Sequence, residues 1–167
     1  MPSKDGMPSN WLPPAEYVQT IEQATMYGCL YITDTRGFPV QMLSVCREEE
    51  WQFPGGITDV GENPWDTAVR EFHEETGLTY EGEQRLLVSL FGARSGSWPL
   101  ARVGFVFDGG MLTDEQITAI RLQPEEHTEL RVAPMREWQT LMSPRTFQRL
   151  EAVHAARETD TAMFLPW

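Results

Sequence analysis

Five residues between positions 62 and 75 have the types and spacing to do chemistry: Glu62, Arg70, Glu71, Glu74 and Glu75. Around them Trp65, Ala68, Val69, Phe72 and Thr76 recur at i, i+3, i+4, i+7 and i+11, the period of a helix with one buried stripe. At about 100° per residue, Glu71, Glu74 and Glu75 then share an arc of roughly 100° beside that stripe. Arg70 lies one turn before Glu74, where a guanidinium can neutralise or orient a carboxylate. Glu62 precedes the helix on a glycine-containing turn that can bring it back toward the same face. Carboxylates crowded this way repel one another unless something positive lies among them. All the donors are oxygen, so a hard cation fits best, magnesium or manganese. A helix with several glutamates is, taken alone, more often a solvated face. What sets this one apart is the joint pattern of turn, cap and carboxylates.

The elements that must position these groups are marked in the sequence. Asn63 is a helix cap, Pro64 occupies the first helical position and Asp66 favours the positive end of the dipole. Gly77 is the expected left-handed residue after the last turn. Upstream, Trp51-Gln52-Phe53 reads as a short alternating strand, ended by Pro54 and the Gly55-Gly56 pair.

The residues Gly56, Glu62, Arg70, Glu71, Phe72, Glu74, Glu75, Gly77 and Leu78 match the signature of the Nudix hydrolases, G-x5-E-x7-R-E-U-x-E-E-x-G-U, where U is bulky and apolar. Chance would place its fixed residues in a chain of this size about once in a million. The resemblance extends more weakly to WQFPGG before the box, to PEEHTELRVAP after it and to a helix near the end. It implies an α/β (α+β) fold, an α/β/α sandwich around a mixed β-sheet. The implied reaction is hydrolysis of a phosphoanhydride bond in a nucleoside diphosphate linked to another moiety, by water attack on phosphorus. In that likeness Glu74 and Glu75 are the principal metal ligands, with the carbonyl of Gly55 a further one. Glu71 holds metal or water and can accept the nucleophile's proton, Glu62 supports metal or water, and Arg70 orients a glutamate. Family members differ in the position of the general base, and Glu125, Glu126, His127 and Glu129 all stand as candidates for it or for an extra ligand.

Substrate choice lies outside the signature. Trp51, Phe91 and Trp98 are candidates to stack on a base, and Arg94 or Arg102 to meet a phosphate, although each type is more often core or surface. His73 falls on a free position of the signature, facing solvent, and His154 reads as structural.

The rest of the chain bounds this reading. With 167 residues, 41% hydrophobic and 23% charged, it is expected to form one domain, residues 15–167, behind an extended arm over residues 1–14. No apolar run approaches the roughly 20 residues that cross a bilayer, and no apolar stretch follows the lysine near the start, so a cytoplasmic location is expected. Cys29 and Cys46, both in segments that read as strands, are expected to be reduced thiols. A net charge of −12 excludes a general nucleic-acid surface but not a small phosphorylated substrate, because a bound cation inverts the local field. Trp11, Trp167 and the apolar tail suggest a homodimer.

Along the chain, residues 15–25 leave helix and strand open. Residues 26–35 and 39–48 read as a hairpin around Gly37, and 48–50 as a charged turn. Strands are expected over 78–95 and 101–110, the second paired with the first and closed by Asp108-Gly109-Gly110. Further strands are expected over 117–122 and 131–134, and a helix from Pro144 to about Arg157, capped by Ser143. TAMFLPW is too apolar to be idle and should dock. Strands interleaved with two helices imply a mixed sheet with helices packed on it.

Overall fold

Strand β1 (Ala24–Asp34) runs through the centre, and its last seven residues are all buried. Burial on both faces is the mark of a strand covered by helices on either side. The computed structural model describes residues 10–47, 50–96 and 98–167. In it β1 pairs in parallel with β6 (Ala101–Leu112) and antiparallel with β4 (Gly55–Ile57). Strand β5 (Leu86–Gly92) lies antiparallel to β6, and β8 (Met163–Pro166) closes the far edge parallel to β5. The five-stranded order is β4-β1-β6-β5-β8. A second sheet has the order β3-β2-β7, from Trp51–Gln52, Val40–Ser44 and His127–Val132.

Alternation along β1 divides the core in two. Leu30 and Ile32 face the helix α2 (Pro64–Thr76), where they pack with Ala68, Phe72 and Phe107. Cys29 and Tyr31 face the other way, toward Leu150, Val153 and Ala156 of α5 (Pro144–Glu158). This is the expected α/β/α layering around a mixed sheet. Helix α2 lies so close to β1 that a Cβ on Gly28 would overlap the Pro64 carbonyl and come within 3.2 Å of the Ala68 amide. The glycine is what lets the helix carrying the carboxylates sit directly on the central strand.

Several local expectations need correction. The β1–β2 hairpin reduces to one bridge, Thr33 to Pro39, after which the strands part into different sheets. At that corner the Asp34 carboxylate accepts the amides of Arg36 and Phe38, both at 2.9 Å, fixing a turn that turns β2 away. Residues 117–122 do not form a strand: α3 (Asp114–Ala119) covers the first of them, started by a capping box between Thr113 and Gln116 that outweighs the β-branched residues. The strand expected over 131–134 is β7, which begins at His127 and ends at Val132, and β6 continues past Gly109-Gly110 to Leu112. Among the described residues there are five helices where two were expected. α1 (Pro14–Tyr17) settles part of the open segment, and α4 (Met135–Leu141) buries Trp138. Cys46 lies in the turn after β2, exposed, while Cys29 is buried; both are free.

The helix from Pro144 is present, with Ser143 accepting the Thr146 amide, and the apolar tail docks on its own chain as β8. Residues 1–9 of the arm, 48–49 of the charged turn and Ser97 lie outside the described residues. No helix among the described residues is long and apolar enough to cross a membrane.

Candidate functional site

The site is built on α2 and the turn before it. The Asn63 side chain accepts the Trp65 amide at 2.9 Å and the Asp66 amide at 3.2 Å, and Gly77, at φ 75°, ends the helix with its amide on the His73 carbonyl. Phe72, Ala68 and Thr76 anchor the inner face. The carboxylates are left along the outer edge, toward β4 and the end of β7.

Arg70 gathers the first group. Its Nε and Nη2 meet the two oxygens of Glu62 at 2.7 and 3.1 Å, a bidentate pair, while Nη1 reaches Glu71 at 3.0 Å and Glu74 at 2.9 Å. Thr67 adds a hydroxyl to Glu62 at 2.9 Å. The Arg70 bonds, helped by Thr67, hold the Glu62 carboxyl down at about 2, and the same pairing raises Arg70 further. Glu71 goes the other way: burial raises it against the pull of Arg70. A Cβ on Gly56 would collide with the Glu71 carboxylate, so the glycine turn lies directly on that group.

Glu75 is held differently. It is 2% exposed, and its Oε2 accepts the Gly55 amide at 2.7 Å. Burial pushes its pKa up to about 8 against that hydrogen bond, with Glu71, Glu126 and Glu74 adding to the rise. His127, also buried, places Nε2 3.5 Å from Glu75 Oε1, yet burial lowers the imidazole. Both shifts favour neutral forms, so this is not an ion pair. Gln52 Nε2 lies 2.7 Å from His127 Nε2; with the amide donating, Nε2 is the acceptor and the proton sits on Nδ1, which is buried without a partner among the described residues.

Among the later-loop candidates, Glu126 is brought to this place. One ligand atom each of Glu75, Glu126 and His127 lies within 4.8 Å of the others. Glu125 is exposed nearby in the chain, while Glu129 is turned to Arg131 at 2.9 Å. The stacking and phosphate candidates are scattered. Trp51 is buried, its ring 5.1 Å from that of Trp138 with Arg131 above it. Phe91 is half exposed on β5, and its carbonyl receives the Trp167 amide. Arg94 pairs with Glu22, Trp98 donates to Thr25, and Arg102 donates to Ser95. His73 is exposed, and His154 meets the Tyr31 hydroxyl at 2.7 Å. Gln52 and Thr67 were not singled out from the sequence; Thr67 lies in the first turn of α2, where its hydroxyl faces Glu62 just before the cap.

These residues fit a divalent cation. Three glutamates, Glu62, Glu71 and Glu74, share the Arg70 guanidinium, while Glu75 and Glu126 stand beside them with His127, and the buried Glu75 has no positive partner among the described residues. The charge missing is positive, small enough to enter beside Glu75, and takes oxygen donors.

The mouse protein Nucleoside diphosphate-linked moiety X motif 6 is 38% identical over 68 residues, 41% of this chain and 21% of that protein, so the chain spans about a fifth of its length. The crystal structure of a MutT protein from Methanosarcina mazei Go1 superposes with a TM-score of 0.64 at 18% identity, over 83% of this chain and 96% of that one. An Ap4A hydrolase from C. elegans, solved as a binary complex, gives 0.60 at 18% identity, over 79% and 96%. Both likenesses speak to the fold. The profile of the NUDIX domain matches residues 22–157, most of the chain, and the chain belongs to the Nudix hydrolase family.

Proposed function

We propose that this protein is a magnesium- or manganese-dependent hydrolase that cleaves the phosphoanhydride bond of a nucleoside diphosphate linked to another moiety, by attack of water on phosphorus. The observation that carries this is Glu75: a carboxylate 2% exposed, raised to about 8 and without a cation among the described residues. A cation bound there supplies Lewis acidity toward water and neutralises charge on the bridging oxygens. Glu74, Glu75 and the Gly55 carbonyl would hold it. Glu71, raised from its ordinary value by burial and lying against Gly56, is placed to accept a proton from the attacking water. Glu62, kept ionised, fixes Arg70, and Arg70 fixes Glu71 and Glu74 in turn. Glu126 supplies a further carboxylate from the start of β7. The domain is taken as residues 15–167, and the substrate as a small nucleotide derivative, the class named for the relatives above.

The test is a panel of nucleoside diphosphate derivatives with magnesium or manganese, scored for release of phosphate or nucleotide. Turnover that depends on the metal and is lost in Glu74→Gln is expected. Tight binding of one compound with no turnover of any would replace the hydrolase by a binding module.

A further inference from the structure

The five-stranded sheet is covered unequally. On one side α5 lies over β5 and β8, and Val88, Leu90 and Val106 are buried beneath it. On the other, α2 covers β4, β1 and the Phe107 part of β6, and the sheet beyond it is open. There Phe164 is 66% exposed, Met26 43% and Phe91 38%, while Val103 and Phe105 are half-buried. We propose that this open face docks a second copy of the chain, sheet face to sheet face about a two-fold axis. The contact lies away from the carboxylates of α2 and does not depend on the reaction assigned to them.

What selects a second copy is the pattern on the face itself. The strand register sets its side chains in two neighbouring rows: Phe105, Ser89 and Phe164 in one, Val103, Phe91 and Pro166 in the next. Along each strand the two rows pair a large residue with a smaller one: Phe105 with Val103, Phe91 with Ser89, Phe164 with Pro166. An axis lying in the contact, across the strands and between the rows, exchanges the rows of the two copies. Each phenyl ring then sits over the smaller residue of the same strand in the other copy. The surface is complementary to itself, at the shallow angle at which twisted sheets stack. None of the six residues is charged, in a chain of net charge −12, so two copies meet here without placing like charges in contact.

The area agrees with that occupant. A whole aromatic side chain covers about 150–250 Å², so the exposed parts of this face come to roughly 600 Å² per copy. Two copies would bury about 1,200 Å², the lower end for a specific interface, which sets the association in the micromolar range. Pairing along the sheet edge is blocked instead. The Trp167 amide donates inward to the Phe91 carbonyl at 2.7 Å, so the backbone nitrogen of residue 166 points outward, and Pro166 has no hydrogen there. The apolar tail thus serves both sides of the sheet. Met163, Leu165 and Trp167 anchor it on the α5 side, and Phe164 and Pro166 build the docking face. Phe91 gains a part in assembly rather than in stacking on a base.

The experiment is sedimentation equilibrium of the full chain from about 1 to about 500 μM. The mass should rise from 19.1 kDa toward twice that value, with half-association at tens of micromolar. Phe164→Glu, on the outermost strand, should weaken association at least about thirtyfold. Met111→Glu, at a residue 61% exposed outside the face, should match wild type and so separates the contact from net charge. Phe164→Glu mixed with Phe164→Lys should recover part of the association, because the two side chains lie close across the axis; a folding defect would not recover. A single-chain mass at the highest concentration, or wild-type association by Phe164→Glu, overturns the proposal. So does association lost in Trp11→Glu but kept in Phe164→Glu, which would put the contact on the arm. Should Phe164→Glu unfold, NMR of the unaltered chain decides. On raising the concentration, signals of Val103, Phe105 and Phe164 should shift and those of α5 should not; shifts at α5 or the arm instead reject the face.

Discussion

On one edge of α2, Glu62, Glu71 and Glu74 share the Arg70 guanidinium at 2.7 to 3.1 Å; on the other, Glu75 is buried against the Gly55 amide and a neutral imidazole. The first group brings its own cation and is held in place without help. The second lacks one and is costly as an ion until a cation arrives. Glutamates that look alike in sequence therefore divide into a set already paired with Arg70, Glu74 included, and a buried residue that waits for charge. Geometry around Arg70 should survive metal removal, whereas the state of Glu75 should not.

The largest effect is expected at Glu75. Glu75→Gln keeps an oxygen for the Gly55 amide and removes the ionisable group. It should lower metal-dependent turnover at least about a hundredfold, with weakened magnesium binding by calorimetry. Metal-free protein should respond in the opposite sense. Glu75 titrates near 4.5 when unfolded and about 8 when folded, so the fold binds the extra proton between those values. Its contribution is complete below about pH 4.5, falls as pH rises to about 8 and is flat beyond, a loss on the order of a few kcal/mol. Melting of metal-free protein should therefore decline from pH 5 to 8, while Glu75→Gln flattens that decline. The acid limb should remain in the variant. Glu62 is lowered by Arg70, and Asp34, despite burial, by the Phe38 amide and Arg36, so both lose stability as pH falls through their folded values. A variant that keeps the wild-type slope above pH 5 would place the proton elsewhere.

Next in size is Arg70. Arg70→Met leaves Glu62, Glu71 and Glu74 with no cation but the metal, so turnover should fall about tenfold to a hundredfold while magnesium still binds. The Glu62 carboxyl, released from its bidentate partner, should rise from about 2 toward the ordinary range, visible in a carboxylate titration by NMR. If magnesium binding collapses as it does in Glu75→Gln, the two edges are one unit and the division between them is wrong.

The unevenness of what could be read in the sequence has the same origin. Helix α2, its caps and the placing of Arg70 one turn before Glu74 are local, and the pattern of types showed them, whereas the bidentate hold of Arg70 on Glu62 crosses the helix start and was not read. The family and the layered fold were legible for the same reason, through the spacing from Gly56 to Leu78. The burial of Glu75 was not. Periodicity puts Glu71, Glu74 and Glu75 on one arc, and only β3 and β7, bringing Gln52 and His127 from 23 positions before and 52 after, make one of them buried. The misjudged β1–β2 hairpin is a similar case. Gly37 does make a turn, but ten register positions of parallel pairing with β6, some 77 residues onward, decide where β1 goes.

The smallest effect is expected at the helix start. Asn63 caps α2 through the Trp65 and Asp66 amides, and it stands next to Glu62 rather than near Glu75. Asn63→Ala should cost about 1 kcal/mol, a fall of roughly 2–4 °C in melting temperature. Because the loosened turn carries Glu62, the loss should reach the Arg70 group first: turnover should drop a fewfold, with the Glu62 carboxyl shifted upward. Magnesium affinity should stay at the wild-type value, since Glu75 is anchored about three turns further on by Gly55 and by burial between α2 and β7. Loss of magnesium affinity matching the loss of turnover would mean that the cap supports both edges through the helix as a whole.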